Sequence, residues 1–102
     1  MIRHIVLFKF LEEADGRSRE ENLRLTAEKL RALQGVVPTL LRSEIHIGAE
    51  GAAASNADLV LISDFADLES LNEYIHHPAH VAVGAFMRPL RESCTCIDYC
   101  ID

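Results

Sequence analysis

The sequence predicts an α+β fold, four strands in one antiparallel sheet with helices on one face, and three observations predict it. Strand-like and helix-like segments follow one another in the order β-α-β-β-α-β across 102 residues, a length that fits one domain. Residues typical of helix starts and stops stand at the joins. The two strands expected at the sheet centre are apolar on both of their faces, which a lone two-layer domain does not need.

Ile2 to Phe10 is rich in β-branched and aromatic residues and reads as the first strand. Asp15-Gly16 breaks that pattern. Ser18-Arg19-Glu20-Glu21 is a capping box, with Ser18 at the N-cap and Glu21 at the third helical position. Leu23, Ala27, Leu30 and Leu33 then recur at helical spacing and give one apolar face. Gly35 ends this helix and Pro38 keeps it from restarting. Leu40 to Ile47 is the second strand, with Leu41, Ile45 and Ile47 on one face and Arg42, Glu44 and the solvated His46 on the other. A Gly/Ala/Ser/Asn stretch, expected to be a mobile loop, leads to a third strand from Leu59 to Phe65. Asp67 caps a second helix carrying Leu68, Leu71, Tyr74 and Ile75. His77 before Pro78 halts it, and Pro78 opens another short helix through Met87, which Pro89 closes. Gly84 within it is expected to permit close packing. Thr95 to Ile101 is the fourth strand. The order is that of the ferredoxin-like arrangement.

Ile5, Leu7, Val60 and Ile62 fall on the strand face that the helices leave bare. Covering each is worth roughly 1.5–3 kcal/mol. With no further element in the chain, the expected cover is a second copy of it, so a homodimer through these four residues is predicted.

The composition is that of a folded globular protein, 49% hydrophobic and 25% charged. A net charge of −6 without a local Lys/Arg cluster argues against nucleic acid as a partner. No apolar run approaches a membrane span, and the opening strand lacks the architecture of a signal peptide, so no membrane role and a cytoplasmic location are expected. Three closely spaced cysteines, Cys94, Cys96 and Cys100, do not suggest a disulfide framework. They share strand parity with Asp98, and packing at an interface is the simplest role for them.

Arg3 to Phe10, Asp58-Leu59-Val60-Leu61, Tyr74-Ile75-His76-His77-Pro78-Ala79-His80 and Asp98-Tyr99 together resemble the stress-responsive A/B barrel (Dabb) family over nearly the whole chain. The Tyr-x-x-His-Pro-x-His element is the most specific part. The resemblance implies a dimeric α/β barrel of two ferredoxin-like subunits. A plant polyketide cyclase of that family performs an aldol condensation without a cofactor, using a histidine base paired with a tyrosine. Carried over by motif, the base is His80, its partner Tyr74, and a further pocket histidine His4. Two polar pocket groups of that cyclase fall on Leu30 and Leu59, a departure that separates this chain from the same polyketide chemistry.

Two classes of function stay open at this level. One is a binder or cofactor-independent enzyme for a small apolar carbonyl compound, with Val6, Phe8, Leu61 and Phe86 as pocket walls and His80, Tyr74 and His4 as polar groups. A histidine near neutral pKa can remove a proton alpha to a carbonyl, and a tyrosine hydroxyl can orient it. The other is a non-catalytic, stress-responsive dimeric scaffold with a filled core. His77 and His80 have the i, i+3 spacing of a ligand pair, with His76 adjacent. Zinc needs three or four convergent ligands, so no metal site is expected.

Overall fold

The longest apolar-patterned strand, β1 (Ile2–Phe10), runs through the centre of a four-stranded antiparallel sheet of order β4-β5-β1-β6, in a computed structural model describing residues 1–101. Its neighbours are β5 (Leu59–Phe65) and β6 (Arg91–Cys100), and β4 (Arg42–Ile47) lies outside β5. The architecture is ferredoxin-like, with α1 (Arg19–Arg31), α2 (Leu68–His76) and α3 (Pro78–Met87) on one face. Successive strand residues point to opposite faces. Ile2, His4, Val6, Phe8 and Phe10 are accordingly buried beneath the helices, while Arg3, Ile5, Leu7 and Lys9 face the other way. Register sets Val6 beside Leu61 and Ile5 beside Ile62 on one flank, and His4 beside Asp98 and Ile5 beside Ile97 on the other.

Local chemistry accounts for the element ends. Ser18 accepts from the Glu21 amide at 3.3 Å, as an N-cap should. Asp67 does the same for the Ser70 amide at 2.8 Å. His77 ends α2 and starts α3 in an extended conformation, its Nδ1 accepting from the Ala79 amide at 3.0 Å. Pro78, with no amide hydrogen to satisfy, occupies the first turn beyond it.

Four details depart from the sequence expectations. Asp15-Gly16 does more than break a pattern: both residues have positive φ, 54° and 76°, and they turn a short hairpin of β2 (Glu13–Ala14) and β3 (Arg17–Ser18). The fully buried Asn22 ties that hairpin to α1, donating to the Ala14 carbonyl at 3.1 Å and accepting from Arg17 Nε at 2.7 Å. Helix α1 stops at Arg31, and turns carry the chain to Gly35, whose φ of +87° suits glycine. Strand β4 starts at Arg42, because Leu40 leaves the sheet line to enter the core. Strand β6 starts at Arg91, four residues before Thr95, because β1 offers it backbone partners as far as Phe10. The long loop before β5 is held in place by Lys9, which donates to the carbonyls of Ala54 and Asn56 at 2.8 and 3.2 Å.

Phe10, Phe65, Leu59, Leu90 and Tyr74 form the driest part of the core. On the opposite face of the sheet, Ile5, Leu7, Val60 and Ile62 lie together, with Ile97 beside them. Leu7 is 40% exposed and Ile97 60% exposed. At one end of this patch Arg3 grips the buried Asp64 through both carboxylate oxygens, at 2.8 and 3.0 Å, with Arg42 3.7 Å away. Arg3 holds the Asp64 carboxyl below the usual carboxylate range. Among the described residues, no helix is long and apolar enough to cross a membrane.

Candidate functional site

A cavity of about 230 Å3 opens between the inner face of the sheet and helices α2 and α3. His4, Val6 and Phe8 of β1 and Leu61 of β5 form its floor. They do so because alternate strand residues share a face and the register sets Val6 against Leu61. Ile75 and His80 bound one end, and Met87, Arg91 and Cys94 the other. Leu30 of α1 and Val83 and Gly84 of α3 complete the wall. A Cβ built on Gly84 meets nothing within 4 Å, so this glycine leaves room in the cavity and does not serve close helix packing, as the sequence had suggested.

His80 sits two residues beyond the proline in the first turn of α3. The change of direction at His77 carries it back over the end of α2, where its Nδ1 bonds the Ile75 carbonyl at 3.0 Å. A carbonyl can only accept, so Nδ1 carries the proton and Nε2 keeps its lone pair. Burial pushes the pKa of His80 down, opposed in part by that hydrogen bond. The ring is therefore neutral at pH 7 and Nε2 is a free base.

His4 is buried and its Nδ1 contacts the carboxylate of Asp98, the residue facing it across the β1–β6 ladder. A carboxylate acceptor places the proton on Nδ1 here too, so Nε2 is the ring nitrogen left for the cavity. Tyr74 stands differently from the hydroxyl partner envisaged. It is 1% exposed, its ring lies 4.6 Å from that of His80 at 57°, and the other side packs on Phe65 at 5.0 Å. Burial raises its pKa to about 12, so it stays protonated. Helical periodicity explains the placement: Leu71 and Tyr74 share the buried stripe of α2, so the ring goes into the core and supports His80 from behind.

Phe86 lies outside the cavity lining. It faces α1 and the β2–β3 hairpin, with Lys29 Nζ 4.6 Å and the Arg17 guanidinium 5.4 Å from its ring centre. One helical step of about 100° separates it from Met87, which does line the cavity. Leu30 and Leu59 are both buried. Cys94, Cys96 and Cys100 are free and exposed on the side of β6 that carries Asp98. His46 is exposed and bonded to Glu44 at 3.1 Å. Among the described residues, no three His, Cys, Asp or Glu side chains gather as a metal site.

Residues 2–101 match the stress responsive A/B barrel domain. The chain belongs to that family. A Streptomyces coelicolor protein is 37% identical over 95 residues, covering 86% of this chain and 88% of that one. A Bacteroides fragilis crystal structure, described as a dimeric protein of ferredoxin-like fold, superposes with a TM-score of 0.85 at 26% identity. It covers 96% of this chain and 93% of its own. A hydroxynitrile lyase from Passiflora edulis shares the fold at a TM-score of 0.81 and 15% identity, covering 99% and 93% of the two chains.

Sequence reasoning assigned neither Arg91 and Cys94 nor the wall residues Ile75, Val83, Gly84 and Met87 to the cavity of this A/B barrel chain, and it did not pair Asp98 with His4. Asp98 was traceable in principle, since an antiparallel pairing of the first and last strands sets it opposite His4. Arg91 was not, because the start of β6 reads as polar loop.

Proposed function

We propose that the protein is a homodimer that binds a small apolar carbonyl compound between sheet and helices and removes a proton alpha to the carbonyl with His80. The observation that carries this reading is the state of His80. Its Nδ1 is committed to a backbone carbonyl, desolvation keeps it neutral, and the ring borders a largely aliphatic cavity. A general base works best with a pKa near the working pH and an unobstructed lone pair. In the proton transfer, the C–H bond breaks, the proton passes to Nε2, and the electron pair moves onto the carbonyl as an enolate. His4, oriented by Asp98, offers its own Nε2 at the cavity floor, where it can accept a hydrogen bond from the hydroxyl of an enol. Apolar walls with a few convergent polar groups are the usual make-up of a small-molecule site. The open space beside His80 favours this reading over a scaffold with a filled core. The lyase of the same fold indicates only that the scaffold accommodates chemistry.

The dimer rests on Ile5, Leu7, Val60 and Ile62, which lie together on the sheet face opposite the helices, Leu7 exposed and the other three half-buried. The dimeric description of the Bacteroides fragilis relative points the same way.

Deuterium exchange next to the carbonyl, followed by proton NMR over a panel of ketones and aldehydes, tests the chemistry. Wild-type protein should accelerate exchange for at least one compound, and His80→Ala should abolish the acceleration with the fold intact. If His80→Ala exchanged and bound every compound as the wild type does, His80 would not be the base.

A further inference from the structure

The register of β6 slips once. Lys9 pairs with Ser93, but Phe10 pairs with Arg91, so Glu92 is the extra residue of a β-bulge. A one-residue slip exchanges the faces of everything beyond it. From Cys94 to Cys100 the even residues of β6 face the helix side, opposite Phe8, Val6, His4 and Ile2. Without the bulge Arg91 would lie with the odd residues on the outer face. With it, Arg91 shares the inner face with the buried Phe10 and reaches the cavity. Bulges beside binding sites commonly re-aim a side chain in this way.

The guanidinium so placed is under-used. Its hydrogen bond runs from Nη1 to the Cys94 sulfur at 3.1 Å, a weak acceptor. Among the described residues, Arg91 has no carboxylate within ion-pair distance. Among the described residues, ion pairs engage Arg3, Lys9, Arg17, Arg24 and Arg42, and of the lysines and arginines outside them Arg91 is the one on the cavity wall. Cys94 stands opposite Phe8, four residues along β1 from His4, so the two ends of the cavity lie roughly 13 Å apart at about 3.3 Å per residue. Val6 and Leu61 line the stretch between them.

We infer that Arg91 binds a carboxylate on the ligand, so that the ligand is an oxo acid whose carbonyl and carboxylate are separated by an aliphatic segment. This deepens the proposed function and rests on its cavity, with the carbonyl at the His80 end. Arg91 is a specificity residue here. A guanidinium presents paired N–H donors that match the two oxygens of a carboxylate, and neither the carbonyl chemistry nor the core packing requires a charge at this position.

The test compares 7-oxooctanoate with 2-octanone, which has the same chain and ketone but no carboxylate. Binding to the full-length protein is measured by NMR titration at low ionic strength, and deuterium exchange next to the ketone is read in the same samples. Wild-type protein should bind 7-oxooctanoate about tenfold more tightly. Arg91→Gln should remove that preference by weakening 7-oxooctanoate binding about tenfold, while Arg91→Lys keeps most of it. Should Arg91→Gln fail to fold, the wild type still decides: 7-oxooctanoate, and not 2-octanone, should shift the Arg91 Nε–H resonance. Equal affinities, no binding of 7-oxooctanoate, or a preference that survives Arg91→Gln overturns the assignment. A wild type that shows the preference but no exchange counts against His80 as base and supports the role of Arg91 separately.

Discussion

Leu7→Asp is the sharpest test of the homodimer, because it separates assembly from folding. Leu7 sits mid-strand on the bare face, between Val60 and Thr95, and is already 40% exposed in the single chain. An aspartate there remains solvated in a monomer, so the fold should tolerate it. In the dimer two effects combine. Withdrawing the remaining leucine surface from water contributes roughly 1 kcal/mol per subunit, scaled from about 1.5–3 for a whole side chain. Enclosing an unpaired carboxylate costs about 1–2 kcal/mol per subunit, well below the full penalty for a buried ion because water reaches the patch edge. A two-fold axis counts each effect twice, giving roughly 4–6 kcal/mol, or at least about a thousandfold in the dimer dissociation constant. Sedimentation velocity across a dilution series reads the constant, and amide NMR spectra report whether the monomer stays folded. An unchanged constant for Leu7→Asp, or a wild type that sediments as a single chain at micromolar concentration, would refute the reasoning.

Other predictions concern the cavity and the outer face. Exchange catalysed by His80 should rise with pH through a midpoint below the ordinary histidine value, because desolvation lowers its pKa and only the neutral ring accepts a proton. A rising limb centred above pH 7.5 would point to another base. Tyr74→Phe should retain exchange activity, since the contact with His80 is ring against ring, whereas Tyr74→Ala should lose about 3–5 kcal/mol of stability in urea unfolding. Gly84→Ala should raise stability by about 0.5–1 kcal/mol through helix propensity, while Gly84→Leu should fill the cavity and block ligand binding, both checked by thermal unfolding and NMR titration. Arg3→Ala should lower stability in urea unfolding at neutral pH by leaving Asp64 without its main partner. Asp64 has a folded pKa below its unfolded value, so its contribution is present above about pH 4 and is lost as the pH falls through the lower folded value. Asp64→Asn should therefore flatten the acid limb of the stability curve; a curve unchanged in shape would place the acid sensitivity elsewhere.

Most of the architecture was legible from the chain alone because its signals are local. Ser18, Asp67 and Pro78 act within one turn of where they stand, so they mark helix starts wherever the helices dock. The alternation in β1 and β5 fixes which side chains share a face, and so placed Ile5, Leu7, Val60 and Ile62 together before any pairing was known. The hairpin at Asp15-Gly16 was missed because two-residue strands carry too little pattern to read, although an Asp-Gly pair between them is a known hairpin signal.

The site divides differently. Residue identity and motif order single out His4, Tyr74 and His80, and strand parity adds Val6, Phe8 and Leu61 to the same inner surface. What each group does depends on neighbours distant in sequence. Asp98 meets His4 only through the β1–β6 register, and Tyr74 supports the His80 ring only because the chain turns at His77. Phe86 and Met87 are adjacent in the chain yet point to different walls, a choice made by how α3 rotates against the sheet. Arg91 reaches the cavity because one bulged residue reverses the phase of an edge strand. Backbone propensity and side-chain periodicity are properties of short segments and survive in the bare sequence; register, bulges and helix rotation minimise the free energy of the whole packed chain, and only the tertiary structure decides them.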